Sequence, residues 1–511
     1  MAERAVELGT IICDGQTPNH LAFSFQVAGD VEVKVGEYVE VPLGLSVMIG
    51  RVYSIQTYNE YFSSPEFLQF HLEEGIPVKA RFPTRVGRWR VAKVRVVGVL
   101  RGDRLLPPEV PPEPGDTVYR AKAELLEAFL KFRPDGLFIG TMRGNNDVRV
   151  ALSPELLLPY HVAVLGATGS GKSYAVGVLV EELLEKGFPV VAVDPHGEYR
   201  FFSQANNNPE EIERVRALGL APRGFPTTVY SLGEEGDRKL SISIDDLNPY
   251  ALAEVCDLSD AQADLLHLAL RKIGGKGYRL DDLLAAVKTT AREWGFQRNT
   301  LAAILRKLQA LNEFVFFGES VKVGDLVKPG HLTVLDVSGG VDEEIRRTVV
   351  GVVLEKIFNA RRRGEIPPVV VVVEESHRFA PQGVKSYCAS VLRKIAREGR
   401  KFGVTLCLTS QRVAGLDKDV LTQCGTKIIL RIEGAYDIEY LKPILDYASA
   451  DEAERIPLLP TGTAMVTGMA TRTPILVDIR PRRTKYVQTP YAHPSIGVPA
   501  AGEKLGLTST G

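Results

Sequence analysis

Gly166-Ala167-Thr168-Gly169-Ser170-Gly171-Lys172-Ser173 follows the aliphatic run Val162-Ala163-Val164-Leu165 and precedes a segment, Tyr174 to Lys186, with helical spacing of apolar residues. The octet matches G-x-x-x-x-G-K-[ST] in the strand, loop and helix setting that gives the pattern meaning. Glycines let the backbone curl so that successive N–H groups face a phosphate at a helix N-terminus. A lysine in this place puts a point charge on the β and γ phosphates, and the following hydroxyl binds magnesium. The stretch therefore points to ATP with Mg2+, held by Gly166, Ala167, Thr168, Gly169, Ser170, Gly171, Lys172 and Ser173. Without a ligand, such a loop is expected to face solvent.

A phosphate loop of this kind needs a carboxylate on a neighbouring strand to hold the water shell of the metal. Pro368-Val369-Val370-Val371-Val372-Val373-Glu374-Glu375 ends a strand-sized run with two. Glu374 is assigned to the metal, and Glu375, on the other side of the strand end, to polarising a water for in-line attack. Open parallel sheets place ligands at the carboxyl ends of their strands, which singles out Asp194-Pro195-His196-Gly197-Glu198, Asp336 and Ser410-Gln411-Arg412. Gln411 can sense the γ-phosphate or hold the attacking water, because an amide donates and accepts. Asp194 is a further metal candidate, and Glu198 a possible aid to the water.

Arg393, Arg397 and Arg400 fall on a helix expected to start near Ser386 and end at Gly399, with the first two sharing a face at i, i+4. Arginine stabilises spreading phosphoryl charge, often from a neighbouring subunit. Arg400 is the first choice for that role and Arg397 the second.

Outward from the loop, short aliphatic strands alternate with amphipathic segments: Val190 to Val193, His331 to Val337, Val369 to Val373, Val404 to Leu408 and Thr426 to Ile432. That alternation implies an α/β fold with a parallel sheet covered on both faces, over about residues 140–485. From about 246 to 318 helical signals replace strands, with Ser259-Asp260-Ala261-Gln262 in capping-box form, so a helical insert is expected. Ahead of this domain the pattern has period two, as in Ala22-Phe23-Ser24-Phe25-Gln26-Val27 and Glu37-Tyr38-Val39-Glu40-Val41, which reads as a small β-barrel over about 1–125. Leu106 to Asp116 is too rich in proline for helix or central strand and reads as a stiff surface loop. Residues 486–511 lack periodic hydrophobics and read as an extended tail.

Composition narrows the partners. The 511 residues carry a net charge of −1, so no global basic field holds nucleic acid. DNA contact must be local, and Arg361-Arg362-Arg363, Arg393 to Lys401 and Arg480 to Lys485 are the basic clusters, each either a solvated face or a contact surface. No stretch approaches the roughly 18 consecutive apolar residues of a membrane span, and the first residues, Met1-Ala2-Glu3-Arg4-Ala5-Val6-Glu7-Leu8-Gly9, lack a secretion signal, so a cytoplasmic protein is expected. Five scattered cysteines fit neither a zinc cluster nor a disulfide framework and read as buried thiols.

Taken in order, G-A-T-G-S-G-K-S at Gly166, D-P-H-G-E-Y at Asp194, V-V-E-E-S-H-R-F at Val372, I-A-R-E-G-R-K-F-G at Ile395, S-Q-R at Ser410 and L-L-P-T-G-T-A at Leu458 resemble the HerA family of DNA translocases, in the HerA and FtsK group of P-loop ATPases. The segment V-G-E-Y-V at Val35 is similar to the small barrel, the HAS barrel, that these proteins carry ahead of the motor. The resemblance implies a RecA-like ATPase domain with a helical insert, a hexameric ring around double-stranded DNA, and ATP sites between subunits. It also implies a partnership with the nuclease NurA in DNA end resection and recombination repair. Tyr160 stands where the family often has arginine before histidine, and is expected to stack on the adenine. A soluble secretion or conjugation pump ATPase of the same motor group is the alternative.

Overall fold

The computed structural model describes residues 6–487 apart from 16, 60–68, 70–86, 103, 234–235, 276, 312–316, 340–341, 446–449 and 472. Residues 488–511 of the expected tail lie outside the described residues.

The period-two segments form β1 (Glu7–Ile12), β2 (Ala22–Val27), β3 (Tyr38–Leu43), β4 (Ser46–Asn59), β5 (Arg88–Arg101), β6 (Arg104–Leu106) and β7 (Thr117–Arg120). Pairing runs β1-β2-β5-β4-β3-β7 and back to β1, a closed antiparallel barrel, with β6 as a hairpin arm on β5. Closure removes the free edges that an open sheet would expose. Phe23, Phe25 and Val27, alternate residues of β2, enter the barrel core beside Leu8, Ile11 and Val94.

A second sheet contains β8 (Leu137–Met142), β9 (Asn145–Leu152), β10 (Val162–Leu165), β11 (Val190–Asp194), β12 (Thr227–Ser231), β13 (Arg238–Lys239), β14 (Leu332–Asp336), β15 (Val369–Val373), β16 (Val404–Ser410), β17 (Thr426–Ile429), β18 (Thr463–Gly468) and β19 (Ile475–Ile479). Its order is β13-β12-β14-β11-β15-β16-β10-β17-β18-β19-β8-β9. Strands β13 to β17 in that order are parallel, as the alternation of strands and helices implies. Beyond β17 the sheet turns antiparallel, which the sequence reading did not anticipate.

Both faces are covered, so central strands are apolar on both sides. Val162 and Val164 of β10 face a core with Ala175, Val176 and Leu179 of helix Lys172–Glu185. Ala163 and Leu165 face the other core, which includes the helices Asp260–Ile273, Leu280–Glu293, Glu343–Arg362 and Tyr387–Phe402. In the helical region, Ser259 and Gln262 form the capping box their spacing suggests.

Candidate active site

Leu165 ends β10, and the loop after it is hung on neighbouring strand ends: Gly166 N donates to Ser410 O at 3.2 Å and Ala167 N to Arg431 O at 2.8 Å. Gly171, at φ 99°, turns the chain into helix Lys172–Glu185 through a left-handed conformation that a side chain would strain. No side chain caps this helix, so the N–H groups of its first turn remain available to an anion. Those donors, the Lys172 ammonium and the Ser173 hydroxyl are the groups that a triphosphate with magnesium requires, and the loop fits that ligand.

Lys172 does not face solvent. Its side chain is 7% exposed, and Nζ forms an ion pair with Glu375 Oε1. The loop faces solvent as expected at Thr168 and Gly169, but not at Lys172, because the pairing carboxylate comes from the next but one strand and covers it. The order β15-β16-β10 also corrects the expectation that the carboxylate strand adjoins the loop strand. β16 stands between them in the sheet, and the lysine reaches across its end to the glutamate.

The adjacent carboxylates diverge. Glu375 has φ 47° and ψ 48°, left-handed for a non-glycine residue and a strain that tends to persist at functional sites. Its N–H donates to Thr409 Oγ1 at 3.0 Å, and Ser376 Oγ donates to Thr409 O at 2.7 Å, so the strained turn is tied down. Glu374 points beneath, 3% exposed, accepting Tyr199 Oη–H at 2.6 Å on Oε1 and Thr409 Oγ1–H on Oε2. Burial pushes its carboxyl up to about 7, against the pull of the Lys172 charge. The carboxylate presented to the phosphate loop is thus Glu375, while both oxygens of Glu374, expected at the metal, are engaged by hydroxyls.

Asp194 is likewise consumed. Oδ1 accepts His196 N–H and Gly197 N–H at 3.0 and 2.8 Å, and Oδ2 accepts Tyr199 N–H at 3.0 Å. Burial lifts its pKa to about 6 against those backbone donors. It shapes the turn that delivers Tyr199 to Glu374, and these backbone contacts engage both oxygens of the residue named as a further metal candidate. Gln411 is brought to the loop: its Oε1 accepts Thr168 Oγ1–H, and its N–H lies 3.5 Å from Glu375 Oε2. His377, missed in the sequence reading, has Nδ1 3.2 Å from Glu375 Oε2 and 3.1 Å from Ser410 Oγ.

Tyr160 precedes β10 at the end of the strand away from the phosphate loop, and therefore does not stack on a nucleotide in its own subunit's loop. Arg400 Nη2 donates to Tyr160 Oη at 3.0 Å, with the guanidinium 4.3 Å from the ring centroid. Both sit at that far end. The helix carrying Arg400 runs to Phe402, past the expected end at Gly399. Gly399 serves close packing, since a Cβ there would lie 2.5 Å from Val404 O, and it is Gly403, at φ 71°, that ends the helix. Arg397 is paired at the surface with Asp419, and Arg393 with Asp417.

The arginines of the Arg480 to Lys485 cluster turn inward and do not form a solvated face, while Lys485 is half-buried. Arg480 and Arg482 are 2% exposed and Arg483 is 9% exposed, on the acidic side of helix Lys172–Glu185. Among the cysteines, Cys256, Cys388, Cys407 and Cys424 are buried as expected, whereas Cys13 is exposed.

A family model described as Helicase HerA, central domain, matches residues 137–357. The chain is 33% identical over 451 residues to the DNA double-strand break repair helicase HerA of Pyrococcus furiosus, spanning 76% of this chain and 77% of that protein. It is 29% identical over 426 residues to the protein of the same name from Saccharolobus solfataricus, spanning 78% of this chain and 79% of that one. The solved structure of VirB4 from Thermoanaerobacter pseudethanolicus aligns with a TM-score of 0.49 at 18% identity, covering 70% of this chain and 98% of that chain.

Proposed function

We propose, from the premise that this chain belongs to the HerA helicase family, that it works as a hexameric ring that moves along double-stranded DNA with a NurA-type nuclease in end resection and recombination repair. The chain is an ATPase and helicase, a motor that translocates DNA. The observation that supports ATP hydrolysis as its power stroke is the convergence of Lys172, Glu375, Thr168 and Gln411 at the ends of β10, β15 and β16; the ring, the duplex DNA and the nuclease rest on the family.

ATP is the substrate of that convergence. The first-turn N–H groups and Lys172 hold its phosphates, and Ser173 is the residue for Mg2+, which when bound offsets phosphate charge. Once Lys172 turns to the phosphates, Glu375 loses its ion-pair partner and is free to accept a proton from a water that Gln411 orients. Glu374 underlies this arrangement through Tyr199 and Thr409 and does not need to touch the metal directly. Arg400, remote from its own loop, is the arginine for a neighbouring subunit's γ-phosphate, with Arg397 second, which supports sites between subunits.

No helix among the described residues is long and apolar enough to cross a membrane, which supports a cytoplasmic place of action. With a net charge of −1, DNA affinity rests on local Lys and Arg contacts repeated around the ring, so it falls as salt rises. The test is ATP turnover with and without duplex DNA, beside solution mass with a nonhydrolysable ATP analogue. Stimulation by DNA and a sixfold mass support the motor. Turnover indifferent to DNA moves the reading to a secretion or conjugation pump.

A further inference from the structure

His377 sits on the turn that follows Glu375, and Nδ1 faces two oxygens, Glu375 Oε2 at 3.2 Å and Ser410 Oγ at 3.1 Å. The proton of Ser410 Oγ is committed elsewhere, donated to Arg412 O at 2.8 Å, while the same Oγ accepts Arg412 N–H at 3.1 Å. Both oxygens facing Nδ1 are therefore acceptors. A bare Nδ1 would put lone pair against lone pair, so Nδ1 carries a hydrogen whether the ring is neutral or charged.

The two oxygens of Glu375 thus have different duties. Oε1 takes Lys172, and Oε2 lies 3.2 Å from His377 Nδ1, an electrostatic contact beside the hydrogen bond that Nδ1 makes with Ser410 Oγ. Only the first partner is shared with the phosphate site. When Lys172 moves to phosphates, the histidine contact stays, because His377 is on the same turn as Glu375 and is anchored through Ser410 to the end of β16.

We propose that His377 is a positioning residue: its ring, hydrogen-bonded to Ser410, keeps the polarised Nδ1–H edge 3.2 Å from Oε2 of Glu375 and holds that oxygen electrostatically, so that Oε1, released by Lys172, is the oxygen aimed at the attacking water. The link through Ser410 also keeps Glu375 in register with Gln411, the next residue along. This rests on the assignment of Glu375 as the group that accepts the proton.

The experiment compares three substitutions in the full-length protein with duplex DNA present. His377→Ala removes the donor, and His377→Asp removes it while placing an acceptor of asparagine's shape. His377→Asn restores an N–H within reach of Oε2. Misplacing a reacting group by about an ångström lowers turnover by up to about 100-fold, so kcat is expected to fall by about 10- to 100-fold for Ala and Asp, with KM for ATP unchanged. Asn is expected to recover most of the rate. In a Glu375→Gln background the Asp substitution is expected to lower turnover no further, since the carboxylate it would misplace is absent. Equal rates for Asn and Asp, an effect carried by KM, or additivity with Glu375→Gln would overturn the inference. A Glu375→Gln protein that hydrolyses ATP at the parent rate would instead remove the reading of the site on which it rests.

Discussion

Arg480 Nη1 lies 2.9 Å from Glu181 Oε2, and neither side chain has any solvent exposure. Nη2 of the same arginine reaches Glu182 Oε1 at 2.8 Å, and the N–H groups of Arg483 and Thr484 donate to Glu181 Oε1 at 2.9 and 2.8 Å. The segment after β19 is therefore stitched to the helix whose first residue is Lys172. Charge taken this far from water is tolerable only when its oxygens and N–H groups are all used, and here Glu181 serves an arginine, two backbone donors and the Thr484 hydroxyl.

Removing one member of this network strands the others. Glu181→Ala is expected to destabilise the fold by about 3–5 kcal/mol, the range for breaking a buried pair by deleting one partner. Denaturant unfolding measures it. A loss within about 0.5 kcal/mol, typical of surface substitutions, would mean that solvent reaches the network.

Lys172→Ala is expected to abolish ATP hydrolysis, because it removes the point charge that the phosphate loop places on the β and γ phosphates. It should also lower stability, on the order of 3 kcal/mol, since Glu375 is left buried without its cation. Adding Glu375→Gln to Lys172→Ala should recover part of that loss, as an uncharged amide needs no counter-ion. An unchanged melting profile for the single variant would place the free lysine in solvent.

Arg400 and Lys172 lie at opposite ends of the strands, so on the proposed ring Arg400 serves a neighbour's phosphate loop and not its own. Arg400→Ala is expected to assemble and bind ATP but hydrolyse it poorly. Mixed with Lys172→Ala it should regain activity, because one interface can join an intact loop to an intact arginine. Absence of recovery while subunits demonstrably exchange would remove Arg400 from that role.

His161 supplies a pH dependence. Its Nε2 is 3.0 Å from Ala396 O, and Leu406 N–H donates to Nδ1 at 2.9 Å, so the ring is neutral with its hydrogen on Nε2. Burial holds its pKa below the ordinary 6.5, the Ala396 carbonyl pulling the other way. The unfolded chain binds a proton near that value and the folded chain only lower, so the stabilisation is complete above 6.5 and is lost as pH falls. Between pH 6.5 and 5, unfolding free energy should fall more steeply for the parent than for His161→Gln, by up to about 1.4 kcal/mol per pH unit. Parallel slopes would mean that the imidazole charges freely in the fold.

The phosphate loop, the parallel strands around it and the barrel's alternation were legible in the sequence. Each is a local regularity: a backbone that needs glycines at set offsets, or a period of two or 3.6 residues imposed by one buried face. Gln411 was legible for a related reason, since strand ends in such sheets gather at one rim. Tertiary structure alone decided which of two adjacent glutamates meets Lys172. The choice turns on the left-handed backbone at Glu375 and on Tyr199 and Thr409 drawing Glu374 downward, and none of these is a property of the pair Glu-Glu. It also decided that β16 stands between the two motifs, that Tyr160 and Arg400 share the far end of the sheet, and that the basic run at Arg480 turns inward to Glu181. A charge in a sequence has a sign but no partner, and its partner is set by which distant segment the fold brings within about 4 Å, where Coulomb attraction together with further hydrogen bonds can offset desolvation.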